Sequence, residues 1–192
     1  MRSSIIILIV ALAGLLGGAS SAWYAIQRSQ GLGAITIGPW TATPYASAGE
    51  VDPYTIAKSV VEGSVPLGAT EGLAFNAISD SEGRDLSLSC DYEISGNTPT
   101  AKLWTLVAYR ASGEPVKPAP GGASALYSGA IVRFSDGSYR ISLSRHAKPG
   151  NWLAVSGGGA FRLTLRLYDT SVSGSSQLDA PQMPAIIRGA CR

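Results

Sequence analysis

The 192-residue chain is poor in the side chains that most chemistry needs. It has one histidine, two cysteines, two methionines and three phenylalanines, and only 15% of its residues are charged, against a usual ~25%. One imidazole and two thiols exclude a four-ligand zinc site built from His and Cys alone. Fifteen basic residues against thirteen acidic leave a net charge of +2, too small to predict a nucleic-acid partner. Cofactor motifs are lacking too. No glycine pattern of the Walker or dinucleotide type occurs, and Gly157–Gly159 reads as a turn because no helix follows it. No GxSxG elbow occurs either, since Gly174-Ser175-Ser176 lacks the second glycine. Neither cofactor nor metal is expected. What is plentiful is apolar residue, at 45%, together with 23 Gly and 11 Pro. That composition excludes a disordered chain and points to a turn-rich domain with a core.

The apolar residues concentrate first at the N-terminus. Ile5–Ile26 is a run of 22 residues without a charge, close to the ~20 needed to cross a bilayer. Trp23 and Tyr24 stand where an aromatic belt is expected, with Arg28 beyond. The run predicts a membrane anchor through residues 5–26. The competing reading is a cleaved signal peptide with Ile5–Leu16 as its apolar stretch and Ser20-Ser21-Ala22 as its small-residue site. Both send the rest of the chain across a membrane.

Residues 1–28 are therefore assigned to the anchor, 29–48 to a linker holding a short apolar piece, and 49–192 to one folded domain. Asp52 and Pro53 are cap and first-turn residues of a short helix that Gly63 and Pro66 stop. From Gly72 the apolar period becomes two: Leu73, Phe75 and Ala77, then Leu86, Leu88, Cys90, Tyr92 and Ile94 without a miss. Leu103–Tyr109 is apolar on both faces and reads as a central strand. Asp136-Gly137 predicts a hairpin between Ile131–Phe134 and Tyr139–Leu143. Gly157–Gly159 predicts a second, between Trp152–Val155 and Phe161–Leu167. Ala111–Tyr127 is either a mobile loop or an arm crossing the domain, Ser171–Ser176 is a polar loop, and the tail from Pro181 is extended. Seven short strands separated by regular turns predict a mainly β fold, an antiparallel β-sandwich or jelly roll with one short helix after the transmembrane one.

Few residues stand out chemically. Two cysteines in an exported domain predict a Cys90–Cys191 disulfide tying the C-terminus to the core. Asp80, Glu82 and Asp85 read as solvated turn residues, because their spacing misses the EF-hand pattern. His146, between Arg145 and Lys148, reads as an exposed loop residue. Asp91 and Glu93 share a strand face at i, i+2 and are the acid–base pair of the alternative reading, an envelope hydrolase. The turn Pro149-Gly150-Asn151-Trp152-Leu153 offers an amide and an indole to an oriented polar ligand, unless Asn151 closes the turn and Trp152 fills the core. Arg162, Arg166 and Tyr168 form an outward polar row that suits an anion.

The run Leu103-Trp104-Thr105-Leu106, the Asp136-Gly137 hairpin, Pro149–Leu153, Phe161–Thr170 and Pro184-Ala185-Ile186-Ile187 together resemble the domain of unknown function 1214 family. Asp52-Pro53-Tyr54, Glu71–Phe75 and Cys90-Asp91-Tyr92 resemble its short membrane-anchored bacterial subgroup. The resemblance implies a jelly-roll sandwich, which in longer relatives often follows a second domain. With the apolar run it makes the expected place the bacterial inner membrane, single pass, with the C-terminal domain in the periplasm, or the soluble periplasm after signal cleavage. It carries no catalytic residue, because the family has no assigned reaction. The expectation is a non-catalytic module whose partner is a small molecule, a glycan or an envelope protein; a purely structural envelope protein is the third reading.

Overall fold

The computed structural model describes residues 2–28, 34–43, 57, 60, 72–170 and 182–191. Helix α1 spans Arg2–Arg28. It carries no acidic residue in its first turn, and every side chain from Ser3 to Tyr24 is exposed. The helix predicted over 52–63 lies outside the described residues except for Ala57 and Val60, both helical. The predicted loop at 171–176 also lies outside them.

Among the described residues ten strands make two sheets. The six-stranded sheet has the order β1-β2-β3-β9-β5-β6 and the four-stranded sheet β10-β4-β7-β8. In sequence, the strands of the first are β1 (Ile35–Ile37), β2 (Trp40–Ala42), β3 (Gly72–Ala77), β5 (Ala101–Arg110), β6 (Ala125–Tyr127) and β9 (Phe161–Thr170). Those of the second are β4 (Cys90–Gly96), β7 (Tyr139–Ser144), β8 (Asn151–Ala154) and β10 (Ala185–Cys191). Pairing is antiparallel throughout, except that β7 and β8 run parallel, Ile141 beside Asn151 and Ser144 beside Ala154.

One apolar core joins the sheets. Phe75, Leu106, Leu163 and Leu165 from the larger sheet and Ile94, Ile141, Leu143 and Leu153 from the smaller belong to the same buried cluster. The alternation read along β3 and β9 is the burial observed: Leu73, Phe75 and Ala77, and Phe161, Leu163, Leu165 and Leu167, are all buried. Burying one such side chain stabilises the fold by about 1.5–3 kcal/mol.

Five expectations change. The segment read as a linker holds the β1–β2 hairpin, which turns at Gly38 (φ 56°) and buries Trp40 completely. Three-residue strands are too short to display a period of two. The long strand over Leu86–Ile94 keeps its burial alternation but breaks at a turn, where the Cys90 N–H donates to Ser87 O. Before the break Ser87 bridges Ala160, and after it β4 joins the other sheet. Gly157–Gly159 joins no hairpin, because β8 and β9 lie in different sheets. The Arg110 guanidinium holds that crossing by donating to the carbonyls of Ser156 and Gly158. At Asp136-Gly137 the chain does reverse, with Phe134 N–H donating to Ser138 O, but the first arm is reduced to a bridge between Arg133 and Tyr139. Finally, β5 buries only the face of Trp104, Leu106 and Ala108, while Leu103 on the other face is exposed.

Ala111–Tyr127 is an arm. Pro115 bridges back to Tyr109 on β5, Val116 enters the core, Ala123 bridges Leu153 of the other sheet, and β6 returns to β5. On the opposite side the Trp40 indole donates to Pro184 O at 2.7 Å. Both margins of the two-sheet domain are thereby joined by specific bonds.

Candidate functional site

The outward row of β9 acquires its meaning from β5. The register sets Tyr109 opposite Arg162 and Thr105 opposite Arg166. Both guanidiniums lie against the Tyr109 ring, at 5.9 and 5.4 Å from its centroid, and Arg166 Nη1 donates to the Tyr109 hydroxyl at 2.9 Å. A cation held over an aromatic face keeps its charge while its geometry is fixed. Between the two arginines Thr164 is buried and donates to Asn76 Oδ1 at 2.8 Å. Tyr168 is half-buried on the same face, opposite Leu103. Tyr109 was invisible as a site residue, since its neighbours lie more than fifty positions away and only the β5–β9 register brings them together.

The second predicted pair is used differently. The Asn151 amide donates to Val132 O at 2.8 Å and to Arg140 O at 2.9 Å, and accepts from Val132 N–H at 2.7 Å. It latches the segment before the Asp136 turn onto β7, rather than closing its own turn. The Trp152 indole donates to Ser144 O at 3.0 Å, and its ring covers Gly122, where a Cβ would sit only 2.8 Å from it. Both groups therefore spend their hydrogen bonds on the fold. Gly150 takes φ 77°, so the turn ahead of them needs a glycine.

The carboxylates are paired. Asp80 is fully buried, not a solvated turn residue. Its Oδ1 accepts the N–H groups of Glu82 and Arg84 at 3.0 and 2.9 Å, and its Oδ2 meets Arg84 Nε at 2.8 Å and Arg188 Nε at 3.1 Å. Burial pushes its pKa up, but the hydrogen bonds from the Arg84 backbone and side chain and the Glu82 backbone outweigh burial and hold it below the ordinary aspartate value. Asp91 is pushed up by burial and down, more strongly, by hydrogen bonds from Lys148 and Ser144, with His146 adding a weaker attraction. Its Oδ2 lies 3.0 Å from Lys148 Nζ, and Glu93 Oε1 lies 3.1 Å from Arg140 Nε. Each member of the supposed acid–base pair thus has its own cation. Burial pushes the Tyr139 hydroxyl far up, with Arg133 offsetting only part, so it stays protonated. Among the described residues no three His, Cys, Asp or Glu side chains gather into a metal-binding group.

Cys90 and Cys191 are joined in a disulfide, their Cα atoms 3.9 Å apart, where β10 runs beside β4. A family model described as Protein of unknown function (DUF1214) matches residues 71–172, which run from the start of β3 to just past β9. The chain belongs to this family. The match thus includes the Tyr109–Arg162–Arg166 row, the Asn151 latch and both carboxylate groups, and leaves α1, the β1–β2 hairpin and β10 outside it. Solved structures similar to this DUF1214 protein include the following two. The VPA0106 protein of Vibrio parahaemolyticus has a TM-score of 0.60 at 18% identity, over 95% of this chain and 45% of its own. An uncharacterised protein from Burkholderia cenocepacia has a TM-score of 0.42 at 15% identity, over 92% of this chain and 51% of its own. The chain spans about half the length of these solved structures. The first likeness extends to the fold alone. Among curated proteins, none matches the chain.

Proposed function

We propose that this DUF1214 protein is a membrane-anchored binding module without catalysis, held by α1 with its β-domain on the periplasmic side of a bacterial inner membrane. What supports the anchor is a helix of 27 residues whose Ser3–Tyr24 stretch has the length and composition to cross a membrane, with none of it buried. A soluble domain rarely leaves so large an apolar surface in water. The disulfide supports an oxidising compartment. The finer architecture we propose is a jelly-roll sandwich. Its support is a chain that changes sheets at β3–β4, β4–β5, β6–β7, β8–β9 and β9–β10.

The observation that carries the binding reading is the pair of guanidiniums fixed on Tyr109, in the row with Tyr168. Preoriented cations beside aromatic rings suit a ligand with negative charge and a flat face, such as an acidic glycan. The hydrolase alternative loses support because Asp91 and Glu93 are each ion-paired. Thermal shift of the full chain in detergent, screened against uronic-acid and sulfated oligosaccharides, tests the reading. A ligand at a hundred times its Kd raises stability by about 2.7 kcal/mol. Arg166→Ala is expected to remove that gain while the unliganded Tm moves little. A gain that survives both Arg166→Ala and Arg162→Ala would place the ligand elsewhere.

A further inference from the structure

The exposed apolar side chains of the described β-domain are not scattered. Val132 is 71% exposed, Phe134 54%, Tyr127 51% and Leu103 39%, while Ile78 and Ile187 stand apart from them. Val132 and Phe134 are two apart on an extended stretch, so both point to one side. Arg133 between them points the other way and lies over the rings of Trp104 and Tyr139, at 5.9 and 5.6 Å. The stretch is fastened at both ends. The Asn151 amide makes reciprocal bonds with Val132, and the Phe134 N–H donates to Ser138 O across the turn. Asn151 therefore fixes Val132 and Phe134 as a hydrophobic pair in water, while Ile131 next to them packs against the core.

The register says where this pair sits. Ile35 lies opposite Ala42, Ala42 opposite Phe75, Phe75 opposite Leu165 and Leu165 opposite Leu106. From that row β1 runs toward Ala77, so the chain that enters β1 arrives from the side of Leu73, Leu167 and Trp104. Trp104 is the residue that meets Tyr139 at 5.1 Å, beside the Arg133 bridge. Leu103 and Tyr127 belong to the same end, next to Tyr168 and Arg166. The exposed apolar residues thus share one end of the domain with the point where the chain enters β1. Six residues separate Arg28 from Ile35, and the seven Cα-to-Cα steps between them reach at most about 25 Å.

We infer that this end is a second membrane contact, in which Val132 and Phe134 rest in the interface of the bilayer that α1 crosses. The inference rests on the anchoring reading above. Charge supports lipid as the occupant: Arg140 lies 5.8 Å from the Phe134 ring, so a cation borders the apolar pair as it would at anionic headgroups. Arg140 is shared with Glu93, and Asp136 stands at the turn with its carboxylate on Ser138. These acids keep the turn itself at headgroup level, so the contact is tangential and shallow. A domain held this way has one orientation over the membrane, with the four-residue apolar end down.

The test uses the full chain in vesicles of phosphatidylethanolamine and phosphatidylglycerol. Val132→Cys, and separately Ile78→Cys at the far end of β3, is labelled with an environment-sensitive fluorophore while the disulfide stays oxidised. Flotation shows first that the chain is in the vesicles. The expected result is blue-shifted emission at position 132, quenched several-fold more strongly by a headgroup-proximal lipid spin label than at position 78. Phe134→Ser in the same labelled chain should weaken the quenching. A chain that fails to float overturns the anchoring reading and this inference with it. A chain that floats with both labels equally exposed to water overturns the inference alone. A blue shift that persists in micelles and grows with protein concentration assigns the surface to a second copy and overturns it as well.

Discussion

Asp80 is a carboxylate kept from water by its own turn and by the C-terminal strand. Its folded pKa lies below the ordinary value. The unfolded chain therefore binds more protons than the folded one as pH falls through the carboxylate range, and stability drops with it. The contribution is fully present above the ordinary aspartate pKa and is lost as pH falls through the lower folded value. Asp80→Asn should flatten this acid limb of a Tm-against-pH curve, and a variant that keeps the limb unchanged would assign it to other carboxylates. Near neutrality Asp80→Ala should cost about 2–3 kcal/mol, because Arg188, 19% exposed, loses its partner, while Arg84, 46% exposed, recovers hydration. Asn151→Ala should cost about 2 kcal/mol by freeing Val132, read from chemical denaturation. Its ligand affinity, if the Arg162–Arg166 row is the site, should stay as it was.

At the scale of elements, β3 and β9 come together at a point that only glycine permits. A Cβ on Gly72 would lie 2.0 Å from the Leu167 carbonyl oxygen, at φ 154°. Gly72→Ala should break the first rung of the β3–β9 ladder and lower Tm more than any surface change, with faster hydrogen exchange in Leu73 and Tyr168. The β10 strand depends on a different device. It is an edge strand, and its outer residues from Ile187 are largely exposed. The register on β4, the reciprocal bonds between Ser81 and Ile186, the Arg188–Asp80 pair and the disulfide across a separation of 101 residues hold it. A cross-link over that span stabilises by up to about 4.7 kcal/mol in the chain-entropy view. Equilibrium unfolding with and without reductant should differ by a few kcal/mol. Denatured, unreduced protein should react with no thiol reagent through these two residues.

For the whole molecule, the deciding feature is the contrast between α1 and the domain that follows. α1 exposes its apolar side chains all round, while the two sheets hide theirs in one cluster. A helix apolar on every face has the composition to cross a bilayer, and a core closed between two sheets suits water. A C-terminally tagged full chain should stay in the pellet on alkaline carbonate extraction. Leu12→Arg, near the middle of α1, should release it into the soluble fraction, since a central arginine costs about 3 kcal/mol of insertion. A soluble product shortened by its N-terminal segment would identify a cleaved signal instead.

Local pattern alone determined what local physics controls. The uncharged run, the inward sets of β3 and β9, the burial alternation from Leu86 to Ile94, the turn at Asp136-Gly137 and the disulfide all follow from residue order, because side-chain direction repeats with the backbone and a chain with two thiols offers one pairing. The family membership was legible for the same reason, in contiguous runs. Partner choice was not. That β8 pairs parallel with β7, ten residues back, while β9 goes to the other sheet is not written in any local period, and that Tyr109 lies under two arginines and Asp80 meets Arg188 is decided by contacts across scores of residues. Chain connectivity leaves such pairings open, and only the closing of a shared core selects among them. The polar side chains of Asn151 and Trp152 show the limit most plainly. As free groups in a turn they suit a ligand, and it is the tertiary placement of Val132, Arg140 and Ser144 within hydrogen-bonding reach that commits them to the fold.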